Sequence, residues 1–288
     1  MRFSGIRVPL VYLLAAGMLL PCAGCQRSRR GGVSVLGSTS VQPFAEMLAE
    51  DFDGRFTQYH VEVQGGGSTF GLQAAEDGIA DIGTCSRELK ESEAARFLPP
   101  VVIAWDGLAI IVPHSNPIGG LTRQQAQDLF SGKITNWKEV GGADLPVRPI
   151  TREEGSGTRE AFVNLVMGKA RISRKALTQE SNGAVKELVV HDPCAVGYMS
   201  LGLVRGEAKI LAIDGVMPSV QAVLQSTYKL RRPFLFVMKR PPNAAAQAYI
   251  DFVLSPEGQR ALEKEGLVGA SGATASAPAA ANGSGGRK

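Results

Sequence analysis

Residues 33–44 read V-S-V-L-G-S-T-S-V-Q-P-F, and this stretch contains a complete strand–turn–helix unit. Residues 33–36 have the apolar character of a buried strand. A glycine and three hydroxyl residues, 37–40, form the turn. Apolar side chains then recur at the spacing of an α-helix, at Val41, Phe44, Leu48 and Phe52. A strand that passes through a tight turn directly into a helix is the building block of an α/β fold.

The same alternation continues as far as residue 268. Further strands are predicted at 61–63, 79–83, 101–104, 108–112, 195–199, 210–213 and 234–238. Helices are predicted at 123–130, 158–167, 184–190 and 244–265, the last interrupted at 255–256. Short apolar strands separated by amphipathic helices favour an α/β fold whose sheets are covered by helices. The composition agrees, because 44% hydrophobic and 20% charged residues are typical of a globular protein.

The first 24 residues have the form of an export signal. Arg2 and Arg7 precede an apolar run at 8–20, and its about 13 residues are too few for a membrane span of roughly 20. Residues 23–25, A-G-C, resemble the lipobox of bacterial lipoproteins. Cys25 is therefore predicted to become a lipid-bearing N-terminus that anchors the mature protein to a membrane outside the cytoplasm. Plain secretion, with Cys25 as a bystander, is the alternative, and residues 25–32 would form a short basic tether.

The mature chain would carry little net charge. Removal of the signal takes away two arginines and no acidic residue, so the formal charge falls from +4 to +2. A net charge this small does not indicate nucleic-acid binding, so any anion site must be local.

Residues 269–288 contain no large apolar residue and are predicted to be a disordered tail. Cys85 and Cys194 are expected to be small buried residues, with a disulfide as the lesser alternative.

Two further stretches repeat the glycine–hydroxyl turn before a predicted helix. Residues 66–69 read G-G-S-T after the second strand, and residues 155–158 read G-S-G-T. The first N–H groups of a helix lack internal partners and carry partial positive charge, so glycines let them face an anion and hydroxyls add donors. One such turn alone is ordinarily a helix cap. Two of the three turns follow strands, and open α/β sheets bind ligands at the ends of their strands. Arginines, which bind oxyanions, flank the third turn. Together the three turns predict one oxyanion site.

The residue pattern does not favour catalysis or metal binding. The chain has no G-x-x-x-x-G-K-[ST] nucleotide motif. Three histidines occur in no metal-ligand spacing and beside no glycine-flanked serine: His60, His114 and His191. Glu153 and Glu154 could form an acid–base pair, but carboxylates at a helix start more often pair with the helix dipole or with an arginine. We interpret Glu154 in this second way, as the residue that steers Arg152.

Six motifs follow one another in a characteristic order: V-L-G-S-T-S-V-Q-P-F-A-E, G-G-G-S-T-F-G, G-I-A-D-I-G-T-C-S-R-E, L-F-S-G-K-I-T-N-W-K-E-V-G-G, R-E-E-G-S-G-T-R-E-A-F and Q-E-S-N-G-A-V-K. In this combination residues 33–268 resemble the phosphate-binding proteins (PstS family) of bacterial ABC importers. The resemblance implies a two-lobed periplasmic-binding-protein fold of type II, with the anion clamped in the cleft between the lobes. Lobe 1 would comprise 33–107 plus 201–268 and lobe 2 would comprise 108–200, with crossings near 106–108 and 199–201.

The resemblance also implies which residues hold the phosphate. They are Ser38, Thr39, Ser40, Ser68, Arg152, Ser156, Gly157 and Thr158. Ser86 stands where part of the family has an aspartate, whose carboxylate would accept the proton of phosphate and repel sulfate. With Ser86 in that place the acceptor must come from elsewhere. Asp106, at the predicted crossing strand, is the first candidate and Glu154 is the second.

The implied function is high-affinity binding of inorganic phosphate outside the cytoplasm. Hinge closure of a monomer would then deliver the phosphate to the permease subunits of an ABC importer. No cofactor, metal ion or nucleic acid is expected to take part. Two alternatives stay open: the same fold could bind another tetrahedral oxyanion, sulfate or molybdate, or the protein could be a secreted phosphatase-like relative. The missing metal and base set argues against the second alternative.

Overall fold

The computed structural model describes residues 31–271 as an α/β protein. The predicted signal peptide, the predicted lipid anchor at Cys25 and the tail from residue 272 onward lie outside the described residues. Two predicted boundaries shift. The first strand begins at Gly31, inside the predicted tether, and the last strand ends at Gly269, inside the predicted tail. Within residues 31–271, no helix is long and apolar enough to cross a bilayer.

Between residues 31 and 271 the strands are β1 Gly31–Gly37, β2 Tyr59–Gly65, β3 Ile82–Cys85, β4 Val101–Val112, β5 Gly120–Leu121, β6 Arg148–Arg152, β7 Leu177–Gln179, β8 Ala195–Ser200, β9 Lys209–Ile210, β10 Ala212–Ile213, β11 Arg231–Val237 and β12 Val268–Gly269. The α-helices of this range are α1 Gln42–Arg55, α2 Ser68–Asp77, α3 Glu91–Ala94, α4 Arg123–Ser131, α5 Gly157–Phe162, α6 Asn182–His191, α7 Val220–Leu224, α8 Ala244–Leu254 and α9 Pro256–Lys264. A π-helical turn, Val163–Met167, continues α5.

Most strands form one sheet with the order β2-β1-β3-β11-β4-β8-β6-β7, and β9 and β12 also pair with β4. The first three strands are mutually parallel, whereas β11 runs antiparallel to β3 and β4. On the other side, β6 is parallel to both β8 and β7. Connections between parallel strands run through helices, which is the predicted α/β arrangement.

Strand β4 joins the two halves of the sheet. It was predicted as two strands, 101–104 and 108–112, but is continuous over 12 residues. The polar Asp106 interrupts the apolar run in the sequence, whereas in the fold this side chain is buried and fully bonded. The first part of β4 pairs with β11, and from Leu108 onward it pairs with β8. The partner strand thus changes between Gly107 and Leu108, where the chain was expected to cross between lobes.

Two large hydrophobic clusters lie on either side of this point. The first packs α1 and α8 against β1 and β11, around residues such as Phe52 and Tyr249. The second contains Phe162 and Tyr198, whose rings stack with centroids 4.0 Å apart. The second cluster also includes residues from the segment between β8 and β11: Leu211, Ile213, Val223, Tyr228 and Leu230. This segment, which the expected division assigns to lobe 1, therefore packs in the same cluster as Phe162 and Tyr198 of the expected lobe 2.

The two cysteines of the described range, Cys85 and Cys194, are both free. Cys85 is fully buried in β3, as expected for a small core residue. Burial raises the pKa of its thiol, so the neutral form is favoured. Cys194 is half-buried, just before β8.

Helix α2 approaches the sheet closely because Gly71 has no side chain. A Cβ atom at this position would lie 2.7 Å from Gly37 Cα, from Leu36 O and from Thr84 O. These are backbone atoms of β1 and β3, which cannot rotate aside as a side chain can. Because α2 begins at Ser68, the same close contact fixes where Ser68 lies relative to the turn that follows β1.

Gly71→Ala should lower the free energy of unfolding by about 1–3 kcal/mol, because the added methyl group must displace backbone. Gly54→Ala is the matched control, since a Cβ at this exposed position of α1 meets nothing within 4 Å. It should leave stability unchanged or raise it by up to about 1 kcal/mol, because alanine restricts the unfolded chain. Urea unfolding of both variants measures the difference, and equal effects would contradict this account of α2 packing.

Candidate anion-binding site

The three glycine–hydroxyl turns meet between the two halves of the sheet. Ser40 Oγ of the first turn and Thr158 Oγ1 of the third lie 2.7 Å apart and share a hydrogen bond. The second turn reaches the third as well, since the Thr69 N–H donates to the Gly155 carbonyl at 3.0 Å. The structure therefore brings the three predicted turns together at one point, although they are far apart in the sequence.

Gly157 allows this close approach. A Cβ atom at this position would lie 2.1 Å from Ser68 Oγ and 2.6 Å from Ser86 Oγ. Both serines are fully buried, and the Ser86 N–H donates to Ser68 Oγ at 3.1 Å. Any larger residue at 157 would separate the third turn from these two hydroxyls.

Only the third turn uses a hydroxyl to cap its helix, since Ser156 Oγ accepts a backbone N–H of α5 at 3.3 Å. Helices α1 and α2 have no side-chain cap. Ser38 Oγ instead holds the first turn by accepting the N–H groups of Ser40 and Val41, at 3.2 and 3.4 Å. The hydroxyls of Ser40 and Ser68 are therefore not used in capping, and both are buried within the cluster.

Arg152, the last residue of β6, lies at the same place and is 1% exposed. Its Nη2 donates to Thr39 Oγ1 of the first turn at 3.0 Å. Its Nε and Nη2 both donate to the Glu153 carboxylate at 2.9 Å. Glu153, rather than the predicted Glu154, therefore steers Arg152. Glu154 is exposed in the turn between β6 and α5.

The Nη1 group of Arg152 is buried and has no hydrogen-bond partner among residues 31–271. The rest of the guanidinium is fixed in place, because the carbonyls of Gln179 and Glu180 also accept from Nε and Nη2, at 3.1 and 3.0 Å. An unpaired buried charged donor costs more free energy than a neutral one. A rigid guanidinium edge without a protein partner is therefore well suited to bind an anion from outside.

Asp106 lies beside this cluster but has no free lone pair. Its Oδ2 accepts from Arg232 Nε at 3.0 Å and lies 2.9 Å from Arg232 Nη2 in an ion pair. Its Oδ1 accepts from the Ser200 hydroxyl at 2.9 Å and from the Gly202 N–H at 3.4 Å. A carboxylate offers about four acceptor positions, and here all are occupied. This arrangement does not fit the expected role of Asp106 as acceptor of a ligand proton; its carboxylate instead holds Arg232.

Arg232 and Asn182 lie at the centre of the site, and the sequence analysis did not predict either. Arg232 Nη1 donates to Thr158 Oγ1 at 2.7 Å, and Asn182 Nδ2 donates to Ser40 Oγ at 2.9 Å. The signal in the sequence is a charged residue at the start of the apolar strand R-R-P-F-L-F-V. The sequence analysis places the start of this strand at residue 234 and so leaves Arg232 outside it. Asn182 lies in one of the six motifs, without an assigned role.

Burial acts on both charges of the Asp106–Arg232 pair. It raises the pKa of the Asp106 carboxyl and lowers the pKa of the Arg232 guanidinium, while their mutual attraction opposes both shifts. We treat the pair as ionic, because an arginine side chain keeps its proton in proteins. Each partner then depends on the other, since an uncompensated buried charge is strongly destabilising.

A cleft of about 860 Å³ lies beside the cluster. Its lining comes from Thr39, Gln42 and the end of β2 on one side, and from Glu153 and residues 178–181 on the other. Thr39 and Glu153 also bind the Arg152 guanidinium, so the cleft borders the hydrogen-bond partners of this buried arginine.

Known proteins resemble this chain over most of its length. The PBP superfamily domain matches residues 26–257. The phosphate-binding protein PstS of Bacillus subtilis is 27% identical over 274 residues, which cover 89% of this chain and 91% of that protein.

Two solved structures share the fold at higher identity. One is a phosphate ABC transporter substrate-binding protein from Clostridium perfringens with bound phosphate. It superposes with a TM-score of 0.81 and is 40% identical in sequence, and the match covers 83% of this chain and 99% of that one. The other is an ABC-type phosphate transport receptor from Vibrio cholerae, with a TM-score of 0.71 and 37% identity, covering 82% of this chain and 99% of that one.

Asp106→Asn should lower the free energy of unfolding by about 3–5 kcal/mol, because it leaves the Arg232 charge buried without its counterion. Asp192→Asn is the matched control, since Asp192 pairs with the half-exposed Arg148 near the surface. Loss of that pair should cost less than about 1 kcal/mol. Urea unfolding of the two variants provides the comparison, and similar losses would mean that Asp106 does not hold Arg232 by charge.

Proposed function

This chain belongs to the PBP superfamily and, within it, to the PstS-like phosphate-binding proteins, and on that premise we propose that it binds inorganic phosphate for an ABC importer. The two-lobed binding-protein fold and the family, both expected from the sequence, are confirmed. The family consists of binding proteins rather than enzymes, which removes the phosphatase-like alternative.

The buried Nη1 edge of Arg152 is the observation that carries the proposal. It is a fixed positive group without a protein partner in the described range, and its neighbours Thr39 and Glu153 line an open cleft. Hydroxyls of Ser68 and Thr158 lie buried in the same cluster. A tetrahedral anion needs a charged donor and several neutral donors in place of its water, and this set provides both kinds.

The number of available donors is consistent with tight binding. Capture of phosphate at about 1 μM requires roughly 8 kcal/mol of net free energy. A hydrogen bond to a charged group contributes about 1.5–3 kcal/mol, so several such bonds suffice after the costs of association. We therefore include high affinity in the proposed function.

Hinge closure follows from the way in which the site is divided. Arg152 ends β6 and Thr158 follows it, on one side of the sheet. Thr39 and Ser68 follow β1 and β2 on the other side, which matches the proposed division into lobes. Neither lobe alone supplies the full set of donors, so phosphate would bind the closed arrangement more tightly and shift the equilibrium toward it. The closed form would then deliver phosphate to the permease subunits of an importer, with lipid on Cys25 keeping the monomer near the membrane.

Sulfate and molybdate are the ligands to be distinguished from phosphate. Both have the same tetrahedral shape, and neither of the expected acceptors gives a clear basis for rejecting them. Asp106 has its lone pairs occupied, and Glu154 is exposed. Phosphate is favoured because the chain resembles phosphate-binding proteins over most of its length.

Arg152→Lys should weaken phosphate binding by roughly 10- to 100-fold, because an ammonium group cannot reproduce the fixed guanidinium fork. Arg148→Lys, at the exposed start of the same strand, is the matched control and should leave the affinity unchanged. Calorimetry with phosphate, sulfate and molybdate on residues 31–271 measures both effects. Failure of the unmodified protein to bind phosphate, or tighter binding of another oxyanion, would overturn the assignment.

A further inference from the structure

We propose that Arg232 and Asn182 fix the direction of two hydroxyl groups, so that Thr158 can only donate a hydrogen bond to the ligand and cannot accept one. Arg232 and Asn182 would thus act as positioning residues, which work through Ser40 and Thr158 rather than by touching the anion. The inference rests on the proposed function, since it concerns how the same site presents itself to phosphate.

Every nitrogen of the Arg232 guanidinium donates a hydrogen bond to the protein. The Nε–H donates to Asp106 Oδ2 at 3.0 Å, and Nη2 lies 2.9 Å from the same oxygen in an ion pair. Nη2 also donates to Ser40 Oγ at 3.3 Å. The Nη1 hydrogens bind Thr158 Oγ1 at 2.7 Å and the Ser86 carbonyl at 3.3 Å. Since all three nitrogens are bound to the protein and the side chain is 2% exposed, Arg232 is directed at the protein rather than at a ligand.

Ser40 is forced to donate its own proton. A hydroxyl has one donor and two acceptor positions. Both acceptor positions of Ser40 Oγ are filled, by Asn182 Nδ2 at 2.9 Å and by Arg232 Nη2 at 3.3 Å. The remaining contact is the one to Thr158 Oγ1 at 2.7 Å, and in this contact the Ser40 hydroxyl must be the donor.

Thr158 then has only its proton to offer. Its Oγ1 accepts from the Ser40 hydroxyl and from Arg232 Nη1, which fills both of its acceptor positions. Among residues 31–271, the Thr158 hydroxyl forms hydrogen bonds only with Ser40 and Arg232, and neither can accept its proton. Thr158 is 1% exposed, so this unused O–H is buried and remains for the ligand.

Arg152 and Arg232 therefore have different tasks. Arg152 keeps an unpartnered Nη1 for the ligand, whereas Arg232 is saturated and sets the direction of the hydroxyls. Such a wall of donors suits oxygen atoms that carry only lone pairs. The proton that phosphate retains near neutral pH must be accepted elsewhere around the ligand, and this wall does not distinguish phosphate from sulfate.

A double-mutant cycle on the protein comprising residues 31–271 tests the proposal. Thr158→Val removes the hydroxyl at nearly constant volume and should weaken phosphate binding by roughly 10- to 100-fold, the range for a hydrogen bond to a charged group. Arg232→Gln should weaken it as well. Because Arg232 acts through Thr158, the double variant should bind no more weakly than the weaker single variant.

Three controls complete the design. Thr84→Val is a matched buried change at a hydroxyl that donates to the Leu36 carbonyl at 3.4 Å, and it should leave phosphate affinity unchanged. Asn182→Ala replaces Arg232→Gln in the cycle if the latter does not fold, as judged by thermal unfolding. Sulfate, measured by its competition with phosphate, should lose affinity in Thr158→Val by the same factor as phosphate does.

The outcomes separate the inference from the function. Additive losses in the cycle would overturn the proposal, because Arg232 would then not act through Thr158. A loss in Thr158→Val that affects phosphate much more than sulfate would also overturn it, because Thr158 would then accept the ligand proton. Unchanged phosphate affinity in Thr158→Val would also overturn it, while the proposed function would stand. Absence of phosphate binding by the unmodified protein would instead reject the proposed function itself.

Discussion

Asp106 and Arg232 are direct cross-strand neighbours on β4 and β11, one residue before β4 exchanges β11 for β8. Neither charge could be buried here alone, because each would lack a compensating partner. The other atoms of the pair bind Ser40, Ser86, Thr158, Ser200 and Gly202. These partners come from both halves of the sheet. The same ion pair therefore fixes the junction between the lobes and the back wall of the anion site, and the two cannot vary independently.

The charges of the site are already balanced within the protein. Arg232 is paired with Asp106, and Arg152 is paired with Glu153. A bound anion would therefore add a charge that no free counterion neutralises, and its hydration must be replaced by oriented dipoles and by the open edge of Arg152. This explains why the overall formal charge of +4 says little about the ligand. In the proposed function, binding would depend on local donor geometry, to which both halves of the sheet contribute.

Local and long-range features differed in how well the sequence predicted them. The glycine–hydroxyl turns were found because glycine, serine and threonine act through the backbone nearby. Their grouping at one point followed from the strands before two of them and from the arginines beside the third. Arg232 was missed because its role depends on a partner 126 positions away. The choice between Glu153 and Glu154 depends on the path of a turn that residue type alone does not define. Similarly, β4 was divided in two because a buried, fully bonded aspartate looks like a break in an apolar strand.

The serine at position 86 fits with this distribution of charge. The Ser86 carbonyl and hydroxyl already lie 3.3 and 3.5 Å from Arg232 Nη1. An aspartate there would bring a second carboxylate to a guanidinium that Asp106 already neutralises, and one of the two would be left without adequate compensation. Here the negative charge lies behind Arg232, on β4, and a neutral hydroxyl faces the cluster. The arginine can then orient Ser40 and Thr158 without a carboxylate in the wall that faces the anion. A carboxylate between the arginine and the anion could accept a proton from the ligand. A carboxylate on the far side of the arginine, as here, leaves a wall that can only donate hydrogen bonds.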